Sequence, residues 1–166
     1  GIMKQVFNIT EKGKQELEAE LEQLISSRKE ISEEVAVARD FGDLKENSEY
    51  DAARKKQGLA ESRIAEIENI LQNAEIIKGG AKNQVTLGNE VSLKNLENQK
   101  VVRYYVVGPV EANPLEGKIS NESPIGQQLM GKKLGQEVEI STPKATIKYE
   151  IIEINKNASK KIIDKA

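Results

Sequence analysis

Two apolar stripes of one period, separated by a glycine, constrain this chain more than any other feature. Leu17, Leu21, Leu24, Ile31, Val35 and Ala38 recur at intervals of four and three, and Arg28 is the one charged residue at a seam position. A heptad of this kind turns one side of a helix toward a partner. The second stripe runs through Tyr50, Ala53, Gln57, Ala60, Ile64, Ile67, Leu71 and Ala74, and Gly42 lies between the two. Matched amphipathic helices joined by a short break predict an antiparallel coiled-coil hairpin. Thr10 is the expected N-cap of the first helix, with Glu11 favourable in its first turn. Ser48 followed by Asp51 predicts a capping box for the second. Helices of roughly thirty residues would be on the order of 45 Å long, with the intervening charged turn at their tip. Gln57 is a polar seam residue, a type that tunes register or loosens packing.

Past "KGGAKN" the helical period gives way to strand-like runs at 85–93, 101–107, 137–141 and 146–154. Between them "NESPIGQQLMGKKLGQEV" predicts one short helix, with Ser123 as N-cap, Pro124 at the first helical position and Gly131 near the end. The expected fold class is therefore α+β in two domains. The coiled coil is placed at 3–78, a linker at 79–84, the sheet domain at 85–157 and a basic tail at 158–166. Gly1 and Ile2, ahead of Met3, read as a cloning remnant. The hairpin satisfies its own seam, so a monomer is expected.

The chain has no cysteine and no histidine. Disulfides, thiolate metal sites and imidazole bases are excluded, so any chemistry rests on carboxylates, hydroxyls, lysines or a borrowed site. No apolar run of about 18 residues occurs, and the start lacks a signal-peptide pattern, so a cytoplasmic protein without a membrane segment is expected. Residues 10–78 carry 17 acidic and 11 basic side chains, which argues against sequence-independent duplex binding by that half.

The turn itself, in "ARDFGDLKENSEYDAA" (38–53), reads by default as a solvated interhelical turn, and three features weigh against that default. Asp43 and Glu46 bring two carboxylates close together, a costly arrangement unless a cation or partner offsets it. Arg39 precedes and Arg54 follows this pair, and Leu44 sets an apolar residue within the turn. The second half holds no comparable constellation; the alternation in "ATIKYEIIEI" reads as core strand.

This stretch closely resembles the tip signature of the bacterial Gre transcript-cleavage factors, roughly A-R-x-x-G-D-L-K-E-N-x-E-Y-x-A-A, with every fixed position present. The resemblance continues through "QGLAESRIAEIE" and "SPIGQQLMGKKLGQEV", and the acidic balance of the first half is more like the GreA branch than GreB. It implies a coiled coil followed by an FKBP-like domain. It also implies binding at the secondary channel of bacterial RNA polymerase and stimulation of endonucleolytic cleavage of backtracked RNA. The factor would not be an enzyme alone, since the hydrolysis belongs to the polymerase.

On this resemblance Asp43 and Glu46 help hold a second Mg²⁺, shared with the polymerase active site and not bound stably by the isolated protein, and orient the attacking water. Arg39 and Arg54 face the RNA 3′ segment. Leu44, Lys45, Asn47 and Tyr50 shape the tip or touch the polymerase, although Tyr50 also falls on the seam. Glu122, Ser123, Pro124 and Ile125 match the docking segment, where Pro124 serves equally as a helix start. Tyr104, Tyr105 and Tyr149 are too few for an aromatic-lined prolyl isomerase pocket, and fold alone does not carry that activity. The competing reading is a Gre-like inhibitor that occupies the channel without cleavage; such relatives depart from G-D-L-K-E-N at the tip.

Overall fold

The computed structural model describes residues 5–42, 47–78 and 83–155. It divides into two compact units. Lys14–Asn73 form one, and the described residues up to Gly13 and from Ala74 onward form the other.

The helical unit is built from α1 (Glu11–Ser26), α2 (Arg28–Asp40) and α3 (Ser48–Gln72). Thr10 caps α1 as expected, its Oγ1 accepting the Gly13 N–H at 3.0 Å. The first stripe is confirmed on the inner face: Leu17, Leu21 and Leu24 are half-buried, and Ile31, Val35 and Ala38 are buried. On α3, Ile64, Ile67 and Ile70 are the buried residues. Ile70 takes the place expected of Leu71, which is half-buried. Ion pairs Glu20–Arg63, Arg28–Glu61 and Glu34–Lys56 join successively later residues of α1 and α2 to successively earlier ones of α3. The helices are therefore antiparallel.

The first helix differs from expectation in being broken at Ser27. The i to i−4 bonds Ser27 N–H to Gln23 O (3.1 Å) and Ile31 N–H to Ser27 O (3.0 Å) persist, so the chain bends without unwinding. The Ser26 hydroxyl donates to Gln23 O at 2.9 Å, a side-chain competitor of the kind that bends helices at serine pairs. The break also corrects the seam. Ser27 is half-buried there, whereas Arg28 is exposed and grips Glu61 through two bonds of 2.9 Å.

In the second unit β1 (Phe7–Ile9) pairs in parallel with β2 (Ala74–Ile76), Phe7 opposite Ala74. A five-stranded sheet follows, composed of β3 (Glu90–Asn95), β4 (Val101–Val107), β5 (Lys118–Ser120), β6 (Glu137–Ser141) and β7 (Thr146–Asn155), in the order β5-β4-β3-β7-β6. β3 is antiparallel to both β4 and β7, with a bulge against β7 between Ser92 and Leu93, and only β5 runs parallel to its neighbour. The core is Val85, Val91, Leu93, Val106, Ile119, Leu129, Val138, Ile140 and Ile151. The α+β class is as the sequence predicts.

The short helix α4 (Pro124–Leu129) is capped by Ser123, whose Oγ accepts the Gly126 N–H at 3.1 Å. It passes so close to the end of β5 that a Cβ on Gly126 would lie 1.9 Å from the Ser120 carbonyl oxygen. The strand expected over 85–93 begins instead at Glu90. Gly88 has φ of +96° and Thr86 N–H is captured by Asn89 Oδ1 at 2.7 Å, so a turn occupies the first residues of that apolar run. Among the described residues no helix is long and apolar enough to cross a membrane. The tail at 158–166 and residues 79–82 of the expected linker lie outside the described residues.

Candidate functional site at the hairpin turn

The two helix ends that flank the turn are tied by one side chain. Asn47, with extended backbone, caps α3 through Oδ1, which accepts the Tyr50 N–H at 2.9 Å. Its Nδ2 donates to the carbonyl of Ala38 in the last turn of α2 at 2.6 Å. That carbonyl also accepts the Phe41 N–H at 3.3 Å where α2 ends. An amide is the side chain that can do both, because it carries a donor and an acceptor. The capping box expected of Ser48 and Asp51 is accordingly corrected by one residue. Ser48 is the first residue of α3, and Asn47, whose amide caps the Tyr50 N–H and also reaches back to the Ala38 carbonyl, takes the cap. Glu49 and Asp51 lie in the first turn, where the helix dipole favours anions.

A second tie is aromatic. The Arg39 guanidinium carbon lies 5.7 Å from the centre of the Tyr50 ring, within cation–π range. Tyr50 is half-buried, so it serves the seam and holds Arg39 together. Arg54 is exposed. Among the described residues neither arginine has a carboxylate at ion-pair distance. Asp43, Leu44, Lys45 and Glu46 lie outside the described residues. Of the residues read from the tip, the structure therefore places Arg39, Asn47, Tyr50 and Arg54, and brings the first three together.

Farther from the turn the helices are fastened by charge. Arg63 Nε and Nη2 donate to the Glu20 carboxylate at 2.7 and 2.8 Å. Hydrogen bonding to Arg63 holds Glu20 below the ordinary carboxylate value, against the opposing effect of burial, and the Coulomb attraction of Arg63 acts in the same downward direction. The Arg63 guanidinium is correspondingly pushed up, first by that hydrogen bond.

The sequence reading missed two exposed apolar side chains of α2 and its C-cap, Val37 and Phe41. Their signal was present: both are apolar residues off the 31-35-38 stripe, where a coiled coil calls for polar ones.

In the sheet unit, Glu122 is exposed and its N–H donates to Ser120 Oγ at 3.0 Å. Ser123 and Pro124 start α4, and Ile125 packs half-buried against the core. Beside Glu122, a groove of about 200 Å³ is lined by Gln5, Phe7, Leu87, Pro109, Val110 and Asn121, among others. Among the described residues no donor reaches Asn121 Oδ1, which is buried there.

Both parts of the chain match one family. Residues 7–76 match the family described as "Transcription elongation factor, N-terminal", and residues 80–156 match "Transcription elongation factor, GreA/GreB, C-term". The chain belongs to the GreA/GreB family of transcription elongation factors. It is 48% identical over 151 residues to transcription elongation factor GreA of Bacillus cereus, covering 89% of this chain and 96% of that one. The GreA proteins of Clostridium acetobutylicum (48%, 89% and 96%) and Bacillus velezensis (47%, 90% and 97%) are similar to it to the same degree. Among solved structures, that of GreA factor homolog 1 (Gfh1) of Thermus thermophilus is 28% identical, with 91% of this chain and 99% of that chain covered and a TM-score of 0.42. Within the GreA/GreB family, sequence similarity across almost the full length sets this chain with the GreA relatives.

Proposed function

We propose that this GreA/GreB family member binds bacterial RNA polymerase at its secondary channel and stimulates the polymerase's own hydrolysis of backtracked RNA. The observation that carries the reading is the unbroken signature "ARDFGDLKENSEYDAA" at the turn of a helical hairpin whose flanking ends are tied through Asn47.

Asp43 and Glu46 act as a pair. With no histidine or cysteine in the chain, the donor set is carboxylate oxygen alone, which suits a hard cation that keeps most of its waters. When bound, a second Mg²⁺ shared with the polymerase active centre stabilises the charge that develops on the attacking and leaving oxygens. The two carboxylates hold it there and orient the attacking water; the isolated protein has too few ligands to retain it. The chain is thus a factor that completes another protein's site and is not an enzyme alone.

Arg39 and Arg54 hold phosphate oxygens of the displaced RNA 3′ segment, where a planar guanidinium offers two parallel donors. The ring of Tyr50 fixes the direction of Arg39, and Leu44, Lys45 and Asn47 shape the tip. Glu122, Ser123, Pro124 and Ile125 form the second point of attachment to the polymerase. The factor acts as a monomer.

The test is to add the protein to purified, halted and backtracked elongation complexes in Mg²⁺ buffer and to resolve the RNA. Short 3′ fragments above the polymerase's own background support the reading. Slowed nucleotide incorporation with no fragments would replace it by a channel-occupying inhibitor.

A further inference from the structure

Val37 and Phe41 are 54% and 74% exposed, yet the seam of the hairpin is already filled by Ile31, Val35 and Ala38. They stand on a second stripe of α2. Glu30, Glu33, Glu34, Val37 and Phe41 follow at helical spacing, and with Glu49, Ala52, Ala53 and Lys56 of α3 they line an open groove of about 590 Å³. Alanines at 38, 52 and 53 keep the helix surfaces low between the two rims, which is what leaves the space.

Charge identifies the occupant. Lys56 is spent on Glu34 at 3.0 Å. Glu30, Glu33 and Glu49 have no cation at pairing distance among the described residues. An apolar strip between unpaired carboxylates repels a polyanion and matches an amphipathic segment with lysine or arginine beside its apolar face, the helix-in-groove mode of recognition. Arg39 and Arg54 are not among the lining residues. The side chains assigned to RNA and those of the groove are separate sets.

We propose that the Val37–Phe41 groove docks a basic, amphipathic protein segment of RNA polymerase, a contact separate from the RNA-facing arginines; this rests on the proposed binding to the polymerase. The groove then adds to affinity and sets the rotation of the hairpin about its axis. Among the described residues, neither Val37 nor Phe41 is part of the buried seam.

The chain contains no cysteine, so Glu30→Cys supplies a single thiol at the rim with Val37 and Phe41 intact. That variant, carrying a short photoreactive label, is added to purified backtracked elongation complexes. RNA cleavage is followed in the same samples, and the crosslinked partner is mapped by mass spectrometry. The proposal expects a crosslink to a polymerase peptide rich in lysine or arginine with interspersed apolar residues. It also expects Val37→Ala with Phe41→Ala to weaken polymerase binding by roughly tenfold with an unchanged unfolding midpoint. Crosslinking to RNA, to a second copy of this chain or to a neutral or acidic polymerase segment would overturn it, as would no crosslink where cleavage is stimulated. A protein that neither binds the polymerase nor yields fragments overturns the functional reading first, and the docking proposal with it.

Discussion

Asn47 Nδ2 donates to the Ala38 carbonyl at 2.6 Å, joining the last turn of α2 to the residue that starts α3. With Oδ1 on the Tyr50 N–H, this one amide fixes both ends of the segment that carries Asp43 and Glu46. Asn47→Asp retains the capping acceptor but loses the donor, whereas Asn47→Ala loses both. Thermal unfolding should show the alanine variant less stable by about 1 kcal/mol and the aspartate variant between it and the unaltered protein. In cleavage assays both should fall several-fold at saturating factor, a loss of turnover with little change in polymerase affinity. Equal cleavage by Asn47→Asp and the unaltered protein would show that the tie to Ala38 does not position the tip.

Tyr50 and Arg39 offer a separate test. Tyr50→Leu keeps an apolar side chain on the seam and removes the ring under the guanidinium, an interaction of about 0.5–1 kcal/mol at an exposed site. The expected result is an unfolding midpoint within a few degrees of the unaltered protein and a higher factor concentration for half-maximal RNA cleavage. Arg39→Gln should reproduce that cleavage defect, and the double variant should add little to either, as expected of coupled neighbours.

Much of the hairpin could be read in advance because burial and helical period report the same thing. Leu17 through Ala38 were legible as one inner face, and Thr10 and Ser123 as caps. The break at Ser27 was not, because a hydroxyl's bond to the carbonyl three residues back leaves no trace in a heptad. The cap at Asn47 was missed for a related reason: Asn, Ser and Asp are all good caps, and only the reach of Asn47 back to Ala38 separates them. In the sheet unit, β1, β2 and β5 are three residues each, too short for an alternation to show. Val85 and Val91 look like one strand, but Gly88 places a turn between them. Asp43 and Glu46 stood out in the sequence as a costly pair of neighbouring carboxylates, but their role came from the family's pattern alone, since no spacing argument assigns a role to two carboxylates in a turn.

The sheet unit has its own sensitive point at Gly126. A methyl group there would meet the Ser120 carbonyl oxygen at 1.9 Å, and backbone cannot yield as a flexible side chain can. Gly126→Ala should therefore destabilise that unit by about 3 kcal/mol, visible as a lowered denaturant midpoint. Gly58→Ala, where nothing lies within 4 Å, should leave the midpoint unchanged or raise it through better helix propensity.

Acid should loosen the hairpin through Glu20. Its carboxyl lies below the ordinary value of 4.5, chiefly because of its hydrogen bond to Arg63. The pair's stabilisation is therefore fully present above about pH 4.5 and is lost as pH falls through the lowered value. With both side chains about two-fifths exposed, solvent screening limits the effect to under about 1 kcal/mol. Arg63→Gln should flatten this part of the stability–pH curve, measured by thermal melts between pH 6 and pH 3, and an unaltered slope would assign the acid response to other carboxylates.

The central claim is that the tip carboxylates supply chemistry to the polymerase. Its most direct test compares the unaltered protein with the Asp43→Asn, Glu46→Gln variant in backtracked elongation complexes at matched polymerase occupancy, reading short 3′ RNA fragments over a Mg²⁺ titration. The account predicts fragments with the unaltered protein and a fall of at least about 100-fold, two orders of magnitude or roughly 2.7 kcal/mol of transition-state stabilisation, with the variant still bound. Fragment yields that match at every Mg²⁺ concentration would contradict it.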